Sequence, residues 1–245
     1  MRLLAIAAAL PLLGFAACSD SPAARPPVCA APQIAQRARP TQCGPTLDFT
    51  PINQYHGDVA SMQDREDAVV LINGNCTGTL IAAAAGAVVL TAGHCVVLGE
   101  QALLAFNVEA DPDGDLLVTD GTVIEQASEP DYALIQLDHL PAATPTLLTS
   151  RPSDRLAIVQ HPRGGPKVVA EGDYLADCNG EISYRDLDTL VGSSGAGVLT
   201  LDGYLYGVHT DGDCDTQGGG DNTGWSAAAI VEASAYLTPG DIADR

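Results

Sequence analysis

Basic side chains are scarce in this chain. Only 11 of its 245 residues are Lys or Arg, against 31 Asp or Glu, which gives a formal net charge of −20. Nucleic-acid-binding proteins present a basic surface, and anionic lipid headgroups attract polybasic segments. The composition therefore excludes nucleic acid as a partner and excludes charge-driven attachment to a membrane. The acidic excess favours solubility outside the cell, with a preference for positively charged substrates or a saline habitat as open alternatives.

Two further patterns are missing. No Cys-x-x-Cys spacing occurs, which argues against a structural zinc site, and no internal repeat is visible. The run Asp111-Pro112-Asp113-Gly114-Asp115 is similar to a calcium loop, but its twelfth position is Thr122 rather than the bidentate Glu of an EF-hand. We interpret the run as an acidic hairpin, leave calcium binding by it open, and predict neither a metal nor a cofactor.

The first 17 residues have the pattern of an export signal. Arg2 precedes an apolar stretch of about 15 residues, shorter than the roughly 20 that span a membrane. The stretch from Gly14 to Cys18 is similar to a bacterial lipobox, whose cysteine is lipidated. We therefore predict lipidation of Cys18 and a membrane-anchored envelope protein, with a free secreted or periplasmic protein as the alternative.

The remaining chain predicts one all-β unit after a linker. Residues 18–47 are rich in Pro and Ala and are interpreted as a tether, whereas residues 48–245 alternate short apolar runs with Gly, Pro and Asp. Residues 226–236, with their alanines, indicate a closing C-terminal helix. The predicted strands cover residues 68–72, 77–81, 87–91, 103–106, 116–118, 132–137, 156–159, 167–170, 197–201 and 204–209.

A histidine, an aspartate and a serine stand at informative places in this pattern. His94 directly follows the apolar run 87–91, where rigid backbone can hold a general base. Asp131 opens an alternating strand, and Ser194 lies in Gly192-Ser193-Ser194-Gly195, where glycines permit a tight turn that aims backbone N–H groups at one point. The order His, Asp, Ser is that of the chymotrypsin triad.

Three motifs now resemble one family. They are similar to the signatures of trypsin-like serine peptidases. The first is Cys76-Thr77-Gly78-Thr79 followed by Thr91-Ala92-Gly93-His94-Cys95, the second is Asp131-Tyr132-Ala133-Leu134, and the third is the serine loop Gly192-Ser193-Ser194-Gly195. The similarity is greatest to the bacterial branch that includes the glutamyl endopeptidases. It implies two antiparallel six-stranded barrels, at about residues 60–140 and 150–235, and a short C-terminal helix.

The resemblance also implies roles. Ser194 is the nucleophile, His94 the general base and acid, and Asp131 the group that orients the imidazole, while the N–H groups of Gly192 and Ser194 form the oxyanion hole. Protein or peptide substrates and a monomer are expected. Ser193 stands where trypsin has an Asp that receives the new N-terminal amine, and no Ile-Val-Gly-Gly-like sequence precedes Cys76. The amine-to-aspartate activation switch is therefore not expected.

The cysteines number seven, and removal of Cys18 leaves an even set. The resemblance implies a Cys76–Cys95 bridge beside the histidine. Sequence alone leaves 15 pairings for six cysteines. We predict Cys29–Cys43 as the local choice, with Cys178–Cys214 bracing the pocket side of the second barrel.

The specificity signals conflict. By the resemblance, Thr189, His209, Thr210 and Gly212 line the primary pocket, and an imidazole with a hydroxyl favours cleavage after Glu. Asp188, however, occupies the position where trypsin attracts Lys or Arg, and a carboxylate would repel Glu.

Rival functions are a trypsin-like peptidase that cleaves after Lys or Arg, and a catalytically silent homologue that acts as a binding module. An α/β-hydrolase esterase fits less well, because its Asp and His would follow the serine.

Overall fold

Two closed antiparallel barrels form the structure, a computed structural model that describes residue 29 and residues 42–243. The first barrel closes in the order β2-β3-β4-β7-β6-β5. Its strands are β2 (Val69–Ile72), β3 (Cys76–Ile81), β4 (Val88–Thr91), β5 (Gln101–Phe106), β6 (Leu117–Ser128) and β7 (Asp131–Leu137).

The second barrel contains six strands in the order β9-β10-β13-β12-β11-β8 and closes through pairing of β8 with β9. The short strand β1 (Thr50–Pro51) adds to β9 from outside. The barrel strands are β8 (Arg155–Gln160), β9 (Val168–Cys178), β10 (Glu181–Arg185), β11 (Gly197–Thr200), β12 (Leu205–Gly212) and β13 (Asn222–Ser226). The predicted chymotrypsin-like architecture is confirmed.

Helices are few among the described residues. Two short α-helices are α1 (Met62–Glu66) and α2 (Ala227–Ala233), the latter within the predicted C-terminal helix and capped by Ser226 Oγ, which accepts the Ala229 N–H. Single 3₁₀ turns occur at Ile52–Gln54, Gly93–Cys95, Pro162–Gly164 and Pro239–Asp241. Within the described ranges no helix has the length and apolarity to cross a membrane.

Apolar packing joins the two barrels. Each barrel has a core of its own, and a third cluster lies between them, where Leu90 and Leu134 of the first barrel pack with residues such as Val208 of the second. Strands β2, β3 and β4 are buried at every position. Burial on both faces accounts for the apolar runs of β2 and β4, whereas β3 buries Thr77 and Thr79 as well. The cleft-facing loops of both barrels are thereby held on a shared core.

The disulfides correct part of the sequence prediction. Cys76–Cys95 is present as the resemblance implied, but Cys29 bonds to Cys178 and Cys43 bonds to Cys214. The predicted pairs Cys29–Cys43 and Cys178–Cys214 are therefore wrong. Short sequence separation favoured them, whereas the fold lays the segment around Cys43 across the second barrel, where Gly44 N–H donates to Asp215 O at 2.9 Å.

Three disulfides are typical of a protein that works in an oxidising compartment outside the cytoplasm. The predicted signal segment and the lipidation site Cys18 lie outside the described residues. Much of the predicted tether does too, while its end at residues 42–47 packs against the second barrel.

Candidate active site

The ends of two neighbouring strands bring His94 and Asp131 together. Strands β4 and β7 pair with Thr91 opposite Ala133, so the 3₁₀ turn after β4 lies beside the first residue of β7. His94 Nδ1 lies 2.6 Å from Asp131 Oδ2, and the His94 backbone N–H donates to Asp131 Oδ1 at 3.0 Å. The carboxylate thus fixes the ring and the backbone that carries it.

This pairing also sets the acid–base properties of the imidazole. The hydrogen bond to Asp131 raises the pKa of His94 above its ordinary value, against the opposing effect of burial, and the charge of Asp211 adds to the rise. Because Nδ1 is occupied by the carboxylate, Nε2 is the nitrogen that can exchange a proton with a nucleophile. The arrangement is that of a general base oriented by a carboxylate.

Gln126 fastens the turn that bears His94, a role the sequence did not suggest. Its amide Nε2 donates to Gly93 O at 2.7 Å and to Val96 O at 2.8 Å, and its Oε1 accepts the Leu98 N–H at 2.9 Å. The side chain reaches across from β6, so only the tertiary structure shows it. A depression of about 480 Å³ opens here, lined by Gly93, His94, Gln126, Ala127, Ser128 and Asp131.

The loop around Ser194 shows which backbone groups are free. The N–H groups of Ser193 and Gly195 donate to Leu190 O and His209 O, at 2.9 and 2.8 Å. Among the described residues, the N–H groups of Gly192 and Ser194 have no acceptor. Since buried N–H groups are normally paired, two unpaired donors separated by one residue are a ready site for an oxyanion.

Glycine is required at two points of this loop. Gly192 has φ of +99° and Gly195 has φ of +85°, values that side chains rarely adopt. A Cβ on Gly192 would lie 2.6 Å from His161 O and 2.7 Å from Arg163 N. The glycines therefore permit this loop conformation, and the residues 161–164 packed against Gly192 leave no room for a side chain there.

Ser194 and Ser193 have different surroundings. Ser194 is 8% exposed, and no hydrogen bond among the described residues joins its Oγ to His94. Such catalytic contacts are often long without substrate. Ser193 is buried, and its Oγ accepts the Leu190 N–H at 3.0 Å, so it closes a turn within the loop itself. Ser193 stands where trypsin has the Asp that receives the N-terminal amine, and here the side chain at that position only closes a turn.

His209 lies beside the serine loop, fully buried in the second barrel. Its backbone N–H donates to Ala196 O at 2.9 Å, and its Nδ1 lies 2.7 Å from Tyr184 Oη. Burial lowers the pKa of His209 to about 3, with a further lowering by the charge of His94. The ring is neutral at physiological pH.

The other predicted pocket residues lie on β12 and in the segment before the serine loop. Gly212 pairs with Asn222 across β12 and β13, and Thr189 Oγ1 lies 3.4 Å from Asn222 Oδ1. Thr210 is buried beside His209. The structure therefore links Thr189 and Gly212 through Asn222, and it places the His209 backbone against Gly195 and Ala196 of the serine loop.

Asp188 is engaged elsewhere. It is fully buried, its Oδ1 accepts the Cys43 N–H and its Oδ2 accepts the Asp48 N–H, both at 2.7 Å. Burial and the neighbouring Asp188 carboxylate raise the pKa of Asp48 to about 7. The Asp188 carboxylate thus faces the segment at residues 43–48, which the Cys43–Cys214 disulfide fastens to the pocket side.

A second acidic cluster lies away from this site. Carboxylate oxygens of Glu66, Glu109 and Asp113 lie within 4.8 Å of one another. The buried Lys167 ammonium contacts Glu66 and lies 2.9 Å from Glu109 Oε1. Burial alone would raise the pKa of Glu109, but hydrogen bonds from Lys167 and Asn53 hold it below its ordinary value. Lys167 supplies the positive charge that two of these carboxylates need.

Comparison with known proteins now decides the family. The family model "Trypsin-like peptidase domain" matches residues 76–208, more than half of the chain. The chain belongs to the trypsin-like peptidase family. It is by class a serine peptidase, a hydrolase.

Solved structures agree on the fold. The active form of the Rv3671c protease from M. tuberculosis is 18% identical with a TM-score of 0.60, over 87% of this chain and 99% of that one. A serine endoprotease from Yersinia pestis is 15% identical with a TM-score of 0.59, over 73% and 65%. The MamO protease domain from Magnetospirillum magneticum is 16% identical with a TM-score of 0.54, over 70% and 97%. No curated protein sequence matches the chain.

Proposed function

We propose that this trypsin-like peptidase is an exported serine endopeptidase that forms an acyl-enzyme on Ser194. His94 takes the proton from Ser194 Oγ as the hydroxyl attacks the scissile carbonyl, and returns it to the leaving amine. Asp131 holds the imidazole tautomer and stabilises the imidazolium. Water then attacks the acyl-enzyme, again with His94 as base, and frees Ser194.

The pair of unpaired N–H groups at Gly192 and Ser194 carries this proposal. A silent homologue that only binds partners has no need to leave these two backbone donors free in a loop where the N–H groups of Ser193 and Gly195 are paired. Each such donor contributes about 10² to 10³ in rate to acyl transfer. The short His94–Asp131 contact supports the same conclusion.

We further propose that the pocket accepts Glu. The neutral His209 can donate a hydrogen bond to a substrate carboxylate without a metal or a basic side chain. The Thr189 hydroxyl can donate a second one once it turns from Asn222 Oδ1, to which it donates at 3.4 Å. Cleavage after Lys or Arg has less support, since both Asp188 oxygens already accept backbone N–H groups. A substrate ammonium would have to compete with those bonds.

Cleavage-site profiling with a diverse peptide library tests both levels of the proposal. Wild-type protein with intact disulfides should cut with enrichment of Glu before the scissile bond, and Ser194→Ala should cut nothing. Enrichment of Lys or Arg would contradict the Glu pocket, while absence of cleavage in wild type would favour a binding module.

A matched pair of variants tests the pocket chemistry. Thr189→Val removes the hydroxyl at constant shape, and loss of a hydrogen bond to a charged group should reduce kcat/KM for Glu substrates by about 10- to 100-fold. Thr189→Ser keeps the hydroxyl and should retain most activity. Equal losses in the two variants would argue that Thr189 only packs.

Export and anchoring are part of the proposal. The three disulfides, the apolar leader and the lipobox-like sequence before Cys18 support a lipid-anchored envelope protein. Mass spectrometry of the mature N-terminus is the test. A diacylglyceryl-modified Cys18 is expected, and an unmodified residue 18 or 19 at the N-terminus would contradict the anchor.

A further inference from the structure

Thr77, on β3 of the first barrel, makes direct contacts with the serine loop of the second barrel. Its side chain is fully buried. Its backbone N–H donates to Ser194 O at 2.9 Å, and its Oγ1 donates to Gly192 O at 2.8 Å. One residue of the first barrel thus holds the carbonyls on both sides of Ser193.

The direction of the Thr77 hydroxyl is fixed by a third contact. The His161 backbone N–H donates to Thr77 Oγ1 at 3.0 Å, so the hydroxyl accepts on that side. A hydroxyl has one proton, and that proton is then directed to Gly192 O. The Thr77 backbone is fixed in turn, because Thr91 Oγ1 donates to Thr77 O at 2.7 Å.

The same loop of residues 161–164 holds the other side of Gly192. The Arg163 N–H donates to Val191 O at 2.5 Å. The Val191–Gly192 peptide is trans, so its N–H points away from that carbonyl. Arg163 and Thr77 therefore hold the carbonyls of the two peptides that flank Gly192, and together they fix the direction of the Gly192 N–H.

Gly192 has the freedom to turn if these contacts are lost. It carries no Cβ and lies at φ of +99°, where a glycine can change conformation at little cost. Without the hydroxyl, Gly192 O and His161 N–H would be buried and unpaired. Rotation of Gly192 would relieve this, but would also turn its N–H away from the oxyanion position.

We propose that Thr77 is a positioning residue for the oxyanion hole. Its hydroxyl, oriented by the His161 N–H, holds the Gly192 carbonyl so that the Gly192 N–H faces the developing oxyanion. This inference rests on the proposed peptidase function. It gives the first barrel a part in transition-state stabilisation besides supplying His94 and Asp131.

Thr77→Val and Thr77→Ser form the matched test in the full-length, disulfide-bonded protein. The Val variant keeps the shape and removes the hydroxyl, and should lower kcat by about 10- to 100-fold with KM changed less than about twofold, since the affected contact forms in the transition state. The Ki of a peptide boronic acid, which mimics the tetrahedral intermediate, should rise by the same factor as kcat/KM falls. The Ser variant should remain within about threefold of wild type in both quantities.

Several results would overturn this role. A Val variant with wild-type kcat, a higher KM at unchanged kcat, or equal losses in Val and Ser would each contradict it. If the Val variant fails to fold, Thr77→Ala should show the same parallel loss in kcat and in boronic-acid affinity, and unchanged values there would contradict the proposal. An inactive wild type would overturn the peptidase function itself, whereas active wild type with an unaffected Val variant overturns only the role of Thr77.

Discussion

The Cys43–Cys214 disulfide offers a quantitative test of how the N-terminal segment is attached. The two cysteines are 171 residues apart, but Cys29–Cys178 already joins the same two parts of the chain. The shortest closed loop therefore runs from Cys43 back to Cys29, across that bridge, and from Cys178 on to Cys214. It contains about 50 residues, roughly 14 on the first stretch and roughly 36 on the second.

The loop length sets the expected loss of stability. Closing about 50 residues removes about 14 cal/mol/K from the entropy of the denatured chain, which corresponds to about 4 kcal/mol at 25 °C. The double variant Cys43→Ser with Cys214→Ser should lose that amount in its free energy of unfolding. The variant Cys76→Ser with Cys95→Ser opens a loop with a sequence separation of 19, and should lose about 3 kcal/mol.

Urea unfolding followed by the fluorescence of Trp225, the single tryptophan, measures these losses from the second barrel. A disulfide map by mass spectrometry accompanies it. A loss below about 1 kcal/mol for the Cys43 and Cys214 variant, or a map that joins Cys178 to Cys214, would refute the attachment of the segment and the loop argument built on it.

Three further predictions follow from the site and the core. Asp131→Asn should lower kcat by about 10⁴-fold. In a steady-state pH series, the rise of kcat/KM with pH should also move to lower pH, because Asp131 raises the pKa of His94. An unchanged pH profile would contradict this. Lys167→Met should lower the free energy of unfolding, measured in urea, by about 3 to 5 kcal/mol, because Glu66 and Glu109 would stay buried without their cation. A loss under about 1 kcal/mol would show that the cluster is solvated. Burial lowers the pKa of His161 to about 4 and that of His209 to about 3, below the ordinary 6.5. The unfolded chain therefore binds more protons below pH 6.5, and stability should fall from there toward pH 4 by up to about 1.4 kcal/mol per pH unit for each histidine. The variant His161→Gln should flatten that fall in urea titrations between pH 6.5 and 4.5, and an equally steep fall would contradict the assignment.

Sequence predicted the parts of the fold in which the local pattern and the tertiary role coincide. His94, Asp131 and Ser194 stand at strand ends and in a glycine-framed loop, and the fold brings the first two into contact. Strands β2 and β4 of the first barrel are largely apolar because both of their faces are buried, and the sequence reveals them for that reason. Strand β13 was missed because its polar residues Asn222 and Ser226 are buried and satisfied by hydrogen bonds. Strand β10 was missed because only Ile182 and Tyr184 of its five residues are buried.

Other features depend on contacts between distant segments. The disulfide partners of Cys29 and Cys43 could not be read from spacing, since the folded second barrel brings Cys178 and Cys214 to the N-terminal segment. Asp188 matches the trypsin position in sequence, yet its carboxylate accepts N–H groups from residues 43–48. Gln126 and Thr77 were likewise missed as supports, because each acts on a loop far along the chain.

Active-site labelling tests the central claim, that Ser194 is an activated nucleophile, most directly. Wild-type protein with intact disulfides is treated with a fluorophosphonate, and the adduct is located by peptide mass spectrometry. We expect one stoichiometric adduct on Ser194, no adduct in Ser194→Ala, and a much slower reaction in His94→Ala. An unlabelled wild type, or an adduct on another serine such as the buried Ser193, would contradict the account.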